Sequence, residues 1–299
     1  MSHIFVSGLI NLETTLAVEK FPLEYFPVRY PFFGIQDRIS GVGFNVAKAL
    51  NTLGDDVRLC SLTGRDFAGR LATVTLEKLG LDASRVLATM EETPHSIILF
   101  EPSGRRQIHV DLKSIQETPY SPDLAAAALK GCDVAVLCNI NFSRPLLPVA
   151  RDLGIPIATD LHALSSLFDE YNSDFLKSAH IAFLSHEHLT DSPEMFVMHL
   201  FNTFPLLQIG VIGLGAEGAL LGVRRTSLLK RFPAVNLRPI VNTIGAGDAL
   251  FSAFVHFWAR NHDPEEAMRA AIRFAAWKIG ANGGAEGFLT EPELLTHLP

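Results

Sequence analysis

One carboxylate placed behind a Gly-Ala-Gly turn, at the mouth of an otherwise apolar helix, is the arrangement in this chain most suited to chemistry. The run is Asn242-Thr243-Ile244-Gly245-Ala246-Gly247-Asp248, and no further acidic residue follows until Asp263. The first amides of a helix lack intrahelical partners and sit at the positive end of its dipole, so such a turn attracts an anion. Asp248 in that first turn should stay ionised at neutral pH and could accept a proton, while the amides offset negative charge developing beside it. These properties suit phosphoryl transfer to a hydroxyl group. A plainer arrangement would make Thr243 an N-cap and Asp248 a complement to the dipole. The second glycine, Gly247, is what a simple cap does not need.

The helix behind the turn carries Leu250, Phe251, Phe254, Val255, Phe257 and Trp258, which wrap too far around it for one solvated face and predict a buried element. Upstream, β-branched runs alternate with helical stretches. His3–Ile10 is followed by a helix from about Gly43 to Leu53, then Val57–Leu62 and a helix from Asp66 to Leu79. The order continues with Val134–Cys138, a helix starting near Arg144, Ile155–Asp160, a helix near Leu164–Leu176, Ile181–Leu184 and Leu207–Ile212, and a last long helix runs from Pro264 to about Gly280. Such alternation predicts a parallel sheet with helices on both faces. Two regions interrupt it, residues 14–38 and 96–110. In the second, Ser96–Phe100 and Gln107–Val110 flank the turn Pro102-Ser103-Gly104-Arg105 and read as a hairpin.

Asn242 to Asp248 resembles the carboxy-terminal signature of the PfkB (ribokinase-like) carbohydrate kinases, D-T-x-G-A-G-D, with five of its six fixed positions kept. The family's other signature, a glycine-rich start to an early helix, is matched by Gly41-Val42-Gly43-Phe44-Asn45-Val46-Ala47. The resemblance extends over essentially the whole chain. It implies an α/β ribokinase-like three-layer sandwich with a mostly parallel central sheet, and a small β-sheet lid from residues 14–38 and 96–110 within a single domain spanning 1–299. It also implies ATP and Mg2+ as cosubstrate and cofactor, a sugar as acceptor, and a homodimer formed through the lid. The lid's aromatic residues, Phe21, Tyr25, Phe26, Tyr30, Phe32 and Phe33, exceed what an exposed sheet needs, which predicts cover by substrate or a second subunit.

Carried over residue by residue, the resemblance makes Asp248 the base and the Gly245, Ala246 and Gly247 amides the anion site. On the acceptor side, Glu13 matches an acidic hydroxyl-binding position, with Asn11, Gly41, Gly43, Asn45 and Asn141 around it; Asn11 and Asn141 read equally well as turn residues. On the nucleotide side stand Gly215, Gly218, Thr243 and Asn282, the last equally readable as a helix-ending Asn before Gly. Asp160 matches a common acidic position after a central strand. The family's N-x-x-E motif is replaced by Ser185-His186-Glu187-His188, which leaves either Glu187 as a magnesium ligand acting through water or a magnesium ion held mainly by the nucleotide. His186 and His188 would otherwise suggest zinc, without an evident third ligand. Asn242 stands where the signature has an Asp associated with monovalent-cation activation, so potassium dependence is not implied.

Gly213-Leu214-Gly215-Ala216-Glu217-Gly218 also matches the dinucleotide pattern G-x-G-x-x-G, but Ala219–Val223 after it is strand-like where that pattern needs a helix. The 299 residues, 48% hydrophobic and 19% charged, suffice for one large core. A net charge of −7 with no Lys/Arg run argues against nucleic acid. The opening residues show neither a basic leader nor a long apolar segment, and the three scattered cysteines Cys60, Cys132 and Cys138 read as buried thiols, so a cytoplasmic protein away from membranes is expected. The expected reaction is ATP-dependent phosphorylation of a hydroxymethyl group on a sugar or sugar-like molecule. A nucleoside kinase of the same fold, or a sensor that binds without turnover, are the alternatives.

Overall fold

The structure is a computed structural model that describes residues 1–164 and 166–297. Two sheets organise it. The larger has nine strands in the order β13-β12-β11-β10-β9-β8-β1-β4-β5. By range these are β1 (His3–Ser7), β4 (Asp56–Gly64), β5 (Val86–Met90), β8 (Val134–Leu137), β9 (Ile157–Ala163), β10 (Ile181–Ser185), β11 (Ile209–Gly213), β12 (Ala219–Val223) and β13 (Leu228–Phe232). Pairing is parallel from β5 to β11 and antiparallel at the β11–β12 and β12–β13 edge. The smaller sheet has the order β3-β2-β6-β7, from β2 (Asn11–Ala17), β3 (Ile35–Ser40), β6 (His95–Phe100) and β7 (Arg106–Asp111).

Alternation along each central strand splits the core in two. Ile4 and Val6 of β1, with Val134 and Val136 of β8, face helices α1 (Val42–Leu53), α2 (Phe67–Lys78), α7 (Ala246–Asn261), α8 (Pro264–Lys278) and α9 (Glu291–Leu295). Phe5, Ala135 and Leu137 face α3 (Pro122–Leu129), α4 (Leu146–Asp152), α5 (Ser173–Ser178) and α6 (Pro193–Thr203). Helix, sheet and helix thus form three layers, as the strand and helix periodicities require. Helix α7 is buried from Asp248 to Phe257, and Phe251 and Phe254 pack edge-on against Phe183 of β10, so this helix lies along the sheet.

The parallel strands end together at one edge, and β1 lies between β4 and β8, where the direction of winding reverses. Ligands of open α/β sheets bind in the crevice at such a point. Chain close to it is tightly packed. A Cβ on Gly43 would come within 2.3 Å of the Gly8 carbonyl carbon, and one on Gly41, at φ 103°, within 2.5 Å of the Leu9 oxygen. Helix α1 can therefore begin against the end of β1 only because both residues are glycine.

Both interruptions of the alternation form the small sheet, as expected, and β6 and β7 pair as the hairpin. Residues 18–34 add no strand to it, and their Tyr25, Phe26, Tyr30, Phe32 and Phe33 are exposed. The helix expected near Leu164–Leu176 is shorter and later, with α5 starting at Ser173; Ser165, inside the expected span, lies outside the described residues. The strand after Gly218 is present as β12, which removes the helix a dinucleotide fingerprint needs. The three cysteines are buried and unpaired, and among the described residues no helix is long and apolar enough to cross a membrane.

Candidate active site at the head of helix α7

Helix α7 starts from Gly245, which caps it at φ 73° in the left-handed region. A Cβ there would come within 2.1 Å of the Gly284 oxygen, so the turn and the carboxy-terminal loop touch backbone to backbone. Thr243 is not the N-cap. The amide of Ala246 donates to the Thr243 carbonyl at 3.2 Å, whereas no acceptor for the amides of Gly245, Gly247 and Asp248 is found among the described residues. Gly247 is exposed, its φ is not positive, and the nearest atom to an added Cβ would be Asp160 Oδ2 at 3.9 Å. None of the described residues requires glycine there. What the missing side chain leaves open is the approach to the free amides.

Asp248 is only 8% exposed, and its Oδ2 accepts from Asn45 Nδ2 of α1 at 2.7 Å. Burial pushes its carboxyl up to about 6; the Asn45 hydrogen bond opposes this, Asp160 adds to it, and His162 and Lys278 pull downward. Burial thus acts against the ionised form that a place at the head of a helix favours.

From Asp248 a line of buried polar groups runs into the small sheet. Asn45 Oδ1 accepts from the Ser40 hydroxyl at 3.1 Å, which also lies 2.8 Å from Glu13 Oε2. Glu13 Oε1 accepts from the Gly284 amide at 3.4 Å, and Glu13 is 4% exposed. The single Ser40 proton can serve one of its two acceptors at a time. Asn11 donates from Nδ2 to Ser96 Oγ at 2.9 Å, while its buried Oδ1 has no partner among the described residues.

The remaining expected residues divide. Asn282 Oδ1 accepts from Asn242 Nδ2 at 2.7 Å and its Nδ2 donates to Gln36 at 3.1 Å, so the side chain braces the carboxy-terminal loop against the small sheet. Asn141, after β8, is held by Gln116 and Arg144 and has no contact with the Asp248 line. Gly215, at φ 59°, and Gly218, at φ 100°, shape the β11–β12 turn, where a Cβ on Gly218 would collide with the Phe232 oxygen at 2.0 Å. Glu187 is exposed just beyond β10, and His186 Nδ1 lies 2.9 Å from the Gly213 oxygen. Among the described residues no group of three or more His, Cys, Asp or Glu side chains could hold a metal ion, which leaves the His186–His188 pair without a third ligand.

Two further residues reach the turn. Arg106 of β7 donates to the Thr243 hydroxyl across the gap between the sheets. Lys278, at the end of α8, is fully buried and its ammonium donates to the carbonyls of Ile244 and Gly283. A lysine ending a helix reads in sequence as a complement to the dipole, which hid this second role.

The pfkB family carbohydrate kinase model matches residues 1–133 and 176–291. The chain belongs to the PfkB family. A deoxyribokinase of Salmonella typhimurium is 34% identical to this PfkB chain over 73 residues, a match spanning 24% of the chain and 23% of that relative. The 1-phosphofructokinase of Rhodobacter capsulatus is 26% identical over 273 residues, covering 86% and 84% of the two chains. A solved microbiome-derived acarbose kinase superposes with a TM-score of 0.88 at 24% identity, over 99% of this chain and 98% of its own. Solved ribokinases and nucleoside kinases share the fold. The nine-stranded sheet with its smaller partner sheet is therefore the ribokinase-like fold.

Proposed function

We propose that this PfkB protein transfers the γ-phosphoryl group of ATP to a hydroxymethyl group of a sugar or sugar-like small molecule, with Asp248 as the base. The observation that carries this reading is the opening above Gly247, where, among the described residues, a buried carboxylate meets helix amides without acceptors and no atom fills the missing Cβ. An acceptor hydroxyl is too weak an acid to ionise at pH 7, so its proton passes to Asp248 as the oxygen–phosphorus bond forms and the bond to the ADP oxygen breaks. The Gly245, Gly247 and Asp248 amides offset charge on the transferred group, and Asn45 fixes the orientation of the receiving carboxylate.

On the acceptor side, the unpaired Asn11 Oδ1 supports a hydroxyl contact, and each Glu13 oxygen keeps accepting capacity beyond its present bond. Gly41 and Gly43 let the chain come close behind that pocket, and Asn141 is assigned to the acceptor side by the family resemblance alone. On the nucleotide side, Gly215 and Gly218 would lie beneath the phosphates, with Thr243 beside them and Asn282 bracing the loop. Magnesium, when bound, neutralises phosphate charge. Mg2+ keeps much of its hydration and takes few protein carboxylates, which fits a site with Asp160 beside Gly247 and Glu187 near the same sheet edge. The small sheet would act as a lid. Its exposed aromatic loop, residues 18–34, supports a second copy as its cover in a cytoplasmic homodimer, a state that light scattering during size-exclusion chromatography would measure.

ADP release measured over a panel of sugars and nucleosides tests the reading. Turnover confined to sugars supports it. Turnover confined to nucleosides would assign the aromatic loop to base stacking, and binding without turnover would leave a sensor.

A further inference from the structure

The Lys278 ammonium has an unusual set of partners. It is enclosed in the core, its two acceptors are backbone carbonyls, and no carboxylate forms an ion pair with it among the described residues. A buried charge without a counterion costs several kcal/mol unless the surrounding dipoles replace water. Here those dipoles come from two loops. Ile244 immediately precedes the cap Gly245, and Gly283 immediately precedes Gly284, whose carbonyl lies against Gly245. Asn242 completes the arrangement: its Oδ1 accepts from the Ile244 amide at 3.1 Å and its Nδ2 reaches Asn282 in the second loop.

Carbonyl oxygens from two loops converging on one enclosed positive charge form the kind of site that holds a monovalent metal ion. In this chain the charge is covalently attached. We infer that Lys278 is a tethered internal cation, which locks the Asn242–Asp248 turn to the carboxy-terminal loop and frees phosphoryl transfer from any need for potassium. It is a positioning residue, acting on the transferred group through the turn that carries Gly245 and Gly247. Asn242 agrees with this assignment, since an uncharged amide at that position is sufficient when the cation cannot dissociate. Burial opposes the charged form most, Asp248, Glu13 and Glu286 favour it from a distance, and Arg106 opposes it.

The inference rests on the proposed kinase reading, and the test separates the two. Wild type and Lys278→Ala are compared in potassium, sodium or tetramethylammonium chloride at constant ionic strength, by ADP release and by thermal unfolding. Wild type should change rate by less than about twofold among the salts, with no melting response specific to potassium. Removing the ammonium opens a carbonyl-lined space, so Lys278→Ala should lose about tenfold or more in kcat in tetramethylammonium and recover most of it in potassium. Potassium should also raise the melting temperature of the variant alone. A wild type that needs potassium would overturn the inference whether or not the variant folds. So would a variant that keeps its rate in tetramethylammonium, or one that is inactive and indifferent to every cation. Should no acceptor be phosphorylated by wild type, the kinase reading fails, and the melting responses alone decide the role of Lys278.

Discussion

Two glycine turns at the same sheet edge, Gly245–Gly247 and Gly215–Gly218, look alike in composition and differ in what needs their glycines. Each contains one glycine that the fold itself demands. Gly245 lies against the Gly284 oxygen and Gly218 against the Phe232 oxygen, both at positive φ. They differ in the second glycine. Gly215 still has the left-handed backbone that favours its type, whereas Gly247 has neither positive φ nor a close neighbour and is exposed beside free amides. A glycine that no described neighbour requires, in front of a buried carboxylate, is what supports the phosphate site proposed there. The element after each turn agrees: a buried helix with its dipole after Gly247, an antiparallel strand after Gly218.

Substituting Gly245 should have the largest effect, since Ala would meet both the left-handed penalty and a backbone atom at 2.1 Å. Gly245→Ala is expected to cost at least about 2 kcal/mol, or roughly 5 °C in melting temperature, together with activity. A variant that melts like wild type would show that the turn and the Gly284 loop are not packed as described. Gly247→Ala separates the two effects. The helix should gain up to about 1 kcal/mol from the replacement, yet kcat should fall by about tenfold or more as the methyl group crowds the anion. Stability and activity moving in the same direction would remove the distinction drawn between the glycines.

A pH profile sharpens the same comparison electrostatically. Asp248 must be ionised to accept a proton, and burial places its titration at about 6; Lys278 must be protonated to hold its carbonyls, and burial pulls it down to about 8. The rate of wild type should therefore rise through the first value, fall through the second, and peak between them. Lys278→Ala assayed in potassium should lose the alkaline limb only. An alkaline limb unchanged in that variant would assign it to another group. The smallest effect belongs to Gly215→Ala: the left-handed backbone costs about 1 kcal/mol, and the KM for ATP should rise by no more than about fivefold with kcat little altered. A loss comparable to that of Gly247→Ala would erase the contrast between the turns.

Much of this was legible in the chain because it is local. The apolar wrap of α7, the Gly-Ala-Gly turn, the strand and helix alternation and the 96–110 hairpin all lie within short windows whose periodicity or turn residues declare them. The line from Asp248 through Asn45 and Ser40 to Glu13 was legible only as separate residues, since its bonds join positions up to 203 apart. Lys278 was missed for a different reason. Its partners are backbone carbonyls, which carry no residue identity, and Ala275-Ala276-Trp277-Lys278 reads as an ordinary helix end. Asn141 and Asn282 were legible only as polar turn residues, since the protein partners that hold both ends of each side chain lie elsewhere in the sequence or are backbone groups.

In the proposed mechanism the carboxylate of Asp248 takes the acceptor's proton at the head of α7. Asp248→Asn keeps the shape and can still meet Asn45 through an amide oxygen, while removing the base and the charge that burial opposes. Single-turnover phosphoryl transfer at saturating ATP and acceptor is the direct measurement. The expected rate is at least about two orders of magnitude below wild type, with both substrates still bound and the melting temperature unchanged or higher. A single-turnover rate near that of wild type would contradict it and take Asp248 out of the mechanism.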